Sequence, residues 1–83
     1  MMDEPLFVVC SPTARHTAEW RREMGLPRRR VMHAGSVSKV DGVHNFVAVY
    51  LPGFHERRDA AQIRTVLDRC LMKLAASRAV AGS

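Results

Sequence analysis

Leu6-Phe7-Val8-Val9-Cys10 is an unbroken apolar run, stopped at once by Ser11-Pro12-Thr13. A run that short, with no polar alternation and a turn directly after it, predicts a strand buried on both faces. Such a strand needs cover above and below, and the chain carries two helical segments that can give it.

The first of these follows immediately. Ser11 is a favoured N-cap and Pro12 suits the first helical position, where its missing N–H costs nothing. The helix is expected to run to about Met24, with Gly25 as a left-handed cap and Pro27 preventing continuation. Ala14, Thr17, Ala18, Trp20 or Arg21, and Met24 recur at helical spacing as the inward face, and Arg15 sits four residues before Glu19 as an ion pair. Arg28-Arg29-Arg30 leads into Val31-Met32-His33-Ala34, a weaker strand suited to an edge, and Val37 to Val40 reads as one helical turn. Val43 to Leu51 is the strongest strand, uncharged from Phe46 on, placed centrally or facing a partner. Asp59 with Gln62 predicts a capping box for the last helix. Ala60, Ile63, Leu67, Cys70 and Leu74 form its apolar stripe, widened by Val66 and Leu71, while Arg64, Asp68, Arg69 and Lys73 lie opposite.

Strands separated by crossovers argue for a parallel sheet. The expected fold is a small α/β domain over residues 1–76, with residues 77–83 as a flexible tail. Its sheet has three strands, mainly parallel, in the order 2-1-3, with a helix on each face: a fragment of a doubly wound fold. Two open edges follow from that order, and natural sheets cover, charge or pair such edges. The third strand is too apolar to stay bare, which points to a homo-oligomer.

Composition narrows the class. The chain has 83 residues and a net charge of +5, with a pI near 10.2. No stretch approaches the ~18 apolar residues of a membrane span, and the acidic start Met1-Met2-Asp3-Glu4 lacks the basic opening of a secretory signal. Two cysteines are too few for a disulfide scaffold. The expectation is a basic, soluble cytoplasmic domain that does not act at membranes.

In open α/β sheets ligands sit beyond the carboxyl ends of the strands. Ser11, Thr13, Arg15, Ser36, His55 and Arg57 would gather there as an anion-binding rim. Cys10 at the strand end is placed as a nucleophile would be in a phosphatase-like cradle. The stretch after it holds no glycine, and Arg15 comes five residues on instead of six, so a small phosphate-handling enzyme built on Cys10, Arg15 and His55 ranks third. Neither G-x-x-x-x-G-K-[ST] nor G-x-G-x-x-G occurs, and the His and Cys residues lack metal-ligand spacing. No catalytic residue, cofactor or metal is assigned. Arg21, Arg22, Arg28, Arg29 and Arg30 cluster around one turn, where they suit either an acidic protein partner or a nucleic-acid backbone. Phe7, Phe46 and Tyr50 are expected inside, leaving Phe54 and Trp20 for stacking.

Three stretches carry a resemblance: Phe7 to Arg15, Ala18 to Pro27, and Val49-Tyr50-Leu51-Pro52-Gly53-Phe54-His55-Glu56-Arg57-Arg58-Asp59. Together, over about residues 6–74, the chain resembles small accessory proteins of actinobacterial phages, mycobacteriophages in particular. The strand-helix-strand order is also similar to half of a RecA-like helicase domain, but the ATP-binding loop and the Q-x-x-G-R-x-x-R motif are missing, so no activity carries over. The phage resemblance implies a non-enzymatic module in the host cytoplasm that self-associates or binds a host protein. The alternative is sequence-nonspecific nucleic-acid binding by the arginine clusters.

Overall fold

The structure is a computed structural model and describes residues 4–82, with side chains described as far as Met72. Its elements are β1 (Leu6–Cys10), α1 (Ala14–Glu23), β2 (Val31–His33), α2 (Val37–Val40), β3 (Phe46–Tyr50) and α3 (Ala60–Gly82). Single 3₁₀ turns, Arg28–Arg30 and Phe54–Glu56, precede β2 and α3. The sheet order is β2-β1-β3. Both pairings are parallel, with Val8 opposite Met32 on one side and Ala48 on the other. The short connection between β2 and β3 therefore makes a genuine crossover, with α2 as its one helical turn.

Alternation along the strands fixes the two faces. Leu6, Val8, Cys10, Met32, Phe46 and Ala48 turn toward α2 and α3, where they meet Val40, Ala60, Ile63 and Leu67 in a single core. Val8, Ile63 and Leu67 are fully buried. Each such aliphatic side chain contributes about 1.5–3 kcal/mol by leaving water. The expected α3 stripe holds at Ala60, Ile63 and Leu67, with Val66 and Cys70 packed against the core. Leu71 is exposed instead of widening the stripe, and Leu74 lies outside the residues whose side chains are described. The α3 backbone stays helical to Gly82, past the Ala76 boundary expected for the domain.

The opposite face is thinly covered. Thr17 is the only buried residue of α1. Trp20 leans on Phe7 with ring centroids 5.9 Å apart, and the Arg30 guanidinium lies 5.2 Å from the Phe7 ring centroid. Met24, expected inward, is 58% exposed. The helix ends there in a Schellman turn: Gly25 adopts φ +67°, Gly25 N–H donates to Arg22 O and Leu26 N–H to Arg21 O. That turn carries the last helical residue off the sheet.

Two caps differ from expectation. Thr13, not Ser11, caps α1, its hydroxyl accepting from His16 N–H at 3.3 Å. The Ser11 hydroxyl is instead drawn inside by Thr17. The third strand begins at Phe46 instead of Val43, and it is an edge strand with no neighbour on its outer side. Of the aromatic residues, Phe54 is buried while Tyr50 is 44% exposed, the reverse of the expected arrangement. The reason is the turn at Gly53 (φ +89°), which folds Phe54 back under α3.

Candidate functional site

The crevice beyond the carboxyl ends of the strands is where a sheet of this order would hold a ligand. Here the protein's own chain closes the part of it over β1 and β2. The loop after β3 runs against the loop after β1 so closely that a Cβ on Gly53 would lie 2.9 Å from Pro12 Cγ. Arg57 then reaches across the strand ends. Its Nη1 donates to Ser11 O at 3.1 Å and to Ala34 O at 2.7 Å. Its Nη2 donates to Gly35 O at 3.0 Å and to Asp59 Oδ2 at 2.8 Å, and its Nε donates to Asp59 Oδ1 at 3.0 Å. A guanidinium has five N–H groups, and all five are engaged. Arg57 is thus a clamp joining the ends of β1 and β2 to the start of α3.

The clamp also explains the missing capping box. The Asp59 carboxylate is turned to Arg57 as a bidentate pair, and Asp59 serves α3 through its carbonyl, which accepts from Ile63 N–H at 2.9 Å. The guanidinium also sits 5.6 Å from the Phe54 ring centroid, on the side of the core.

Beside the clamp lies a polar chain. His33 Nδ1 is 2.7 Å from Thr17 Oγ1, which is 2.7 Å from Ser11 Oγ, which is 2.7 Å from Thr13 O. Burial first, then the charges of Arg57 and Lys39, push the His33 imidazole below its ordinary pKa, against an opposing pull from Asp59. Donation in one direction satisfies a neutral ring: Nδ1–H to Thr17, the Thr17 hydroxyl to Ser11, the Ser11 hydroxyl to Thr13 O. This chain ties α1 to β2, and a threonine on the inward face of α1 was its only sign in the sequence.

Of the expected anion-binding rim, the structure brings Ser11, Arg57 and the loop leading to Ser36 together at the strand ends, with their polar groups engaged within the chain. Ser11 is buried in the polar chain, and Thr13 caps α1 with its hydroxyl 2.6 Å from His16 Nδ1. Arg15 is exposed and pairs with Glu19 at 3.3 Å, as the spacing indicated. Ser36 meets Ser38 at 3.1 Å. His55 is exposed in the turn before α3 and Arg57 is consumed by the clamp. Ser11, Thr13, Ser36 and Arg57 are thus engaged by carbonyls, hydroxyls and other groups of the chain itself and Arg15 by a carboxylate, while His55 stays exposed.

Cys10 is fully buried. Burial pushes its thiol up to about 11, against a smaller downward pull from Arg57. Only about a thousandth of it is thiolate near pH 8, the opposite of an activated nucleophile. Cys70 is half-buried. Labelling by a thiol reagent at pH 8 should therefore modify Cys70 within minutes and Cys10 only after urea is added. Fast labelling of both in native buffer would show that the β1 end opens.

Two of the open cavities among the described residues bear on a site. One, of about 540 Å³, lies between the end of β3 and the start of α3, bounded by Tyr50, Phe54, His55, Ala60, Ala61 and Arg64. The other, of about 350 Å³, is a groove between α1 and β2 that gathers Arg21, Arg22 and Arg28 beside His33. Of the five clustered arginines, Arg30 turns away to Glu4 at 3.3 Å and to Pro5 O, and Arg29 is exposed.

Among the described residues no helix is long and apolar enough to cross a membrane, and no group of three or more His, Cys, Asp and Glu could hold a metal ion. No protein-family model, curated protein or solved structure matches the chain.

Proposed function

We propose that the protein is a non-enzymatic interaction module that pairs with a second copy of itself through the outer edge of β3. The observation that carries this reading is the edge itself. Leu6 N–H donates to Asn45 O and Leu51 N–H to Cys10 O, so the odd-numbered residues of β3 turn their backbone groups toward β1. Phe46, Ala48 and Tyr50 therefore turn theirs outward. The strand between, Phe46-Val47-Ala48-Val49-Tyr50, carries no charge and no proline. Val47 is 42% exposed on one face of it and Tyr50 44% on the other. Such an edge is a template for another strand.

The same sequence suits its own antiparallel copy. Centred on Ala48, the outward groups of Phe46 and Tyr50 exchange hydrogen bonds across the two-fold axis, and Val47 meets Val49 of the second copy. No charges are opposed, and the exposed Tyr50 lies beside the strand of the second copy. In the setting that the phage resemblance implies, the pair would present its surface to a host protein.

Analytical ultracentrifugation tests this over the micromolar range. The parent should sediment as a dimer, and Val47→Lys should raise the dissociation constant by at least about 30-fold, because it sets an ammonium group against an apolar partner strand. The folded monomer should be unaffected, since Val47 is on the surface. A parent that stays monomeric at 100 µM (roughly the concentration reached by weak specific pairs), or a variant that associates unchanged, overturns the reading.

A further inference from the structure

The groove between α1 and β2 gathers three arginines in one place. Arg15, Arg30 and Arg57 have acidic partners in Glu19, Glu4 and Asp59, while Arg29, Arg58, Arg64 and Arg69 are exposed singly, without an ion pair among the described residues. Arg21, Arg22 and Arg28 line one groove that has no acidic residue in its wall, and among the described residues none of the three forms an ion pair. The Schellman turn and the Arg28–Arg30 turn produce this arrangement by doubling the chain back, so that a residue after the turn faces two from the end of α1. Arg21 is anchored by donating to Leu26 O at 3.0 Å, which fixes its stem along the groove. Ala14, Thr17, Ala18, Val31 and His33 make up the rest of the lining and floor of this trough of about 350 Å³.

We infer that this groove binds the phosphodiester backbone of a nucleic-acid strand. Planar guanidinium forks match phosphate oxygens two at a time, and three arginines line one groove with no acidic residue in its wall. An acidic protein segment would need apolar surface beside its carboxylates to hold it, and the apolar lining, Ala14, Ala18 and Val31, offers only short methyl-bearing side chains. The groove holds no Phe, Tyr or Trp, and its one ring, the His33 imidazole, is tied to Thr17, so recognition falls on phosphates and is indifferent to base sequence. This site lies on β2, at the opposite edge of the sheet from β3, and does not depend on self-pairing.

The test is fluorescence anisotropy with a labelled mixed-sequence single strand of about 20 nucleotides. Three phosphate contacts give a slope near −2 in log affinity against log salt, so affinity should fall about 20-fold between 50 and 200 mM. Arg22→Glu with Arg28→Glu should weaken binding at 50 mM by at least about tenfold and flatten the slope by about 1.4. Arg58→Glu with Arg69→Glu makes the same change in net charge at exposed positions outside the groove and should stay within about threefold of the parent. Circular dichroism checks that both variants are folded. Three outcomes overturn the proposal: no binding by the parent at 50 mM, equal weakening by the two double variants, or displacement of the oligonucleotide by polyglutamate as readily as by unlabelled strand.

Discussion

Arg57→Ala should lower the unfolding free energy by about 3–5 kcal/mol, the range found when one partner of a buried charge pair is removed. Arg57 keeps only 16% of its side-chain surface, and its loss strands several groups at once. Ala34, whose carbonyl it serves, is fully buried and has no other way to meet water. Ser11 O and Gly35 O lose a donor, and Asp59 is left a half-buried carboxylate without its counter-ion. Against a total stability of 5–15 kcal/mol for a typical domain, that loss is a large fraction. Arg57→Lys should recover little of it, because one ammonium cannot span three carbonyls and a bidentate carboxylate. Arg58→Ala, one residue on and exposed, should change stability by less than about 0.5 kcal/mol. Urea unfolding followed by circular dichroism measures all three, and an Arg57→Ala value within about 1 kcal/mol of the parent would show the clamp to be superfluous.

Gly53→Ala should cost about 2–4 kcal/mol, from two separable sources. The backbone there has φ +89°, which an L side chain adopts under strain. The new methyl would also press within 2.9 Å of Pro12 Cγ, part of a ring that cannot swing aside. Pro12→Ala in the same chain removes the crowding and leaves the backbone strain. The double variant should therefore regain part of the loss and remain about 1 kcal/mol below Pro12→Ala alone. If the double variant regains nothing, the loops after β1 and β3 are not in contact in solution.

Sheet order and element types were legible in the sequence because each rests on local signals. Apolar runs stop at turn residues, Gly25 closes α1, and the crossovers argue for a mainly parallel sheet, although the short Gly35–Gly42 connection leaves the direction of β2 open until its parallel pairing with β1 is seen. What was hidden depends on residues far apart in the chain. Ser11-Pro12 satisfies the local rule for a helix start, yet Thr17 and His33 compete for the Ser11 hydroxyl, and the cap passes to Thr13. Asp59-x-x-Gln62 satisfies the capping-box rule, yet Arg57 takes the carboxylate. Arg57 reads in the sequence as a donor to a ligand at the strand ends, because nothing near it in sequence reveals that the Ser11, Ala34 and Gly35 carbonyls, 46, 23 and 22 residues away, take its N–H groups. The candidate site suffered most, since a rim is a meeting of three loops, and a single arginine placed among them decides whether it is open or shut.

The shortness of β2 has a bearing on how far assembly can go. Two β3 edges joined about a two-fold axis leave a six-stranded ribbon whose termini are both β2. That strand has three residues, and directly after it Gly35 N–H folds back on His33 O at 2.8 Å. It offers an incoming strand the outward groups of Val31 and His33 and then bends away. An isologous pair built on β3 is therefore a closed object: its ends give no purchase for a third copy, and growth stops at two instead of running on into a filament.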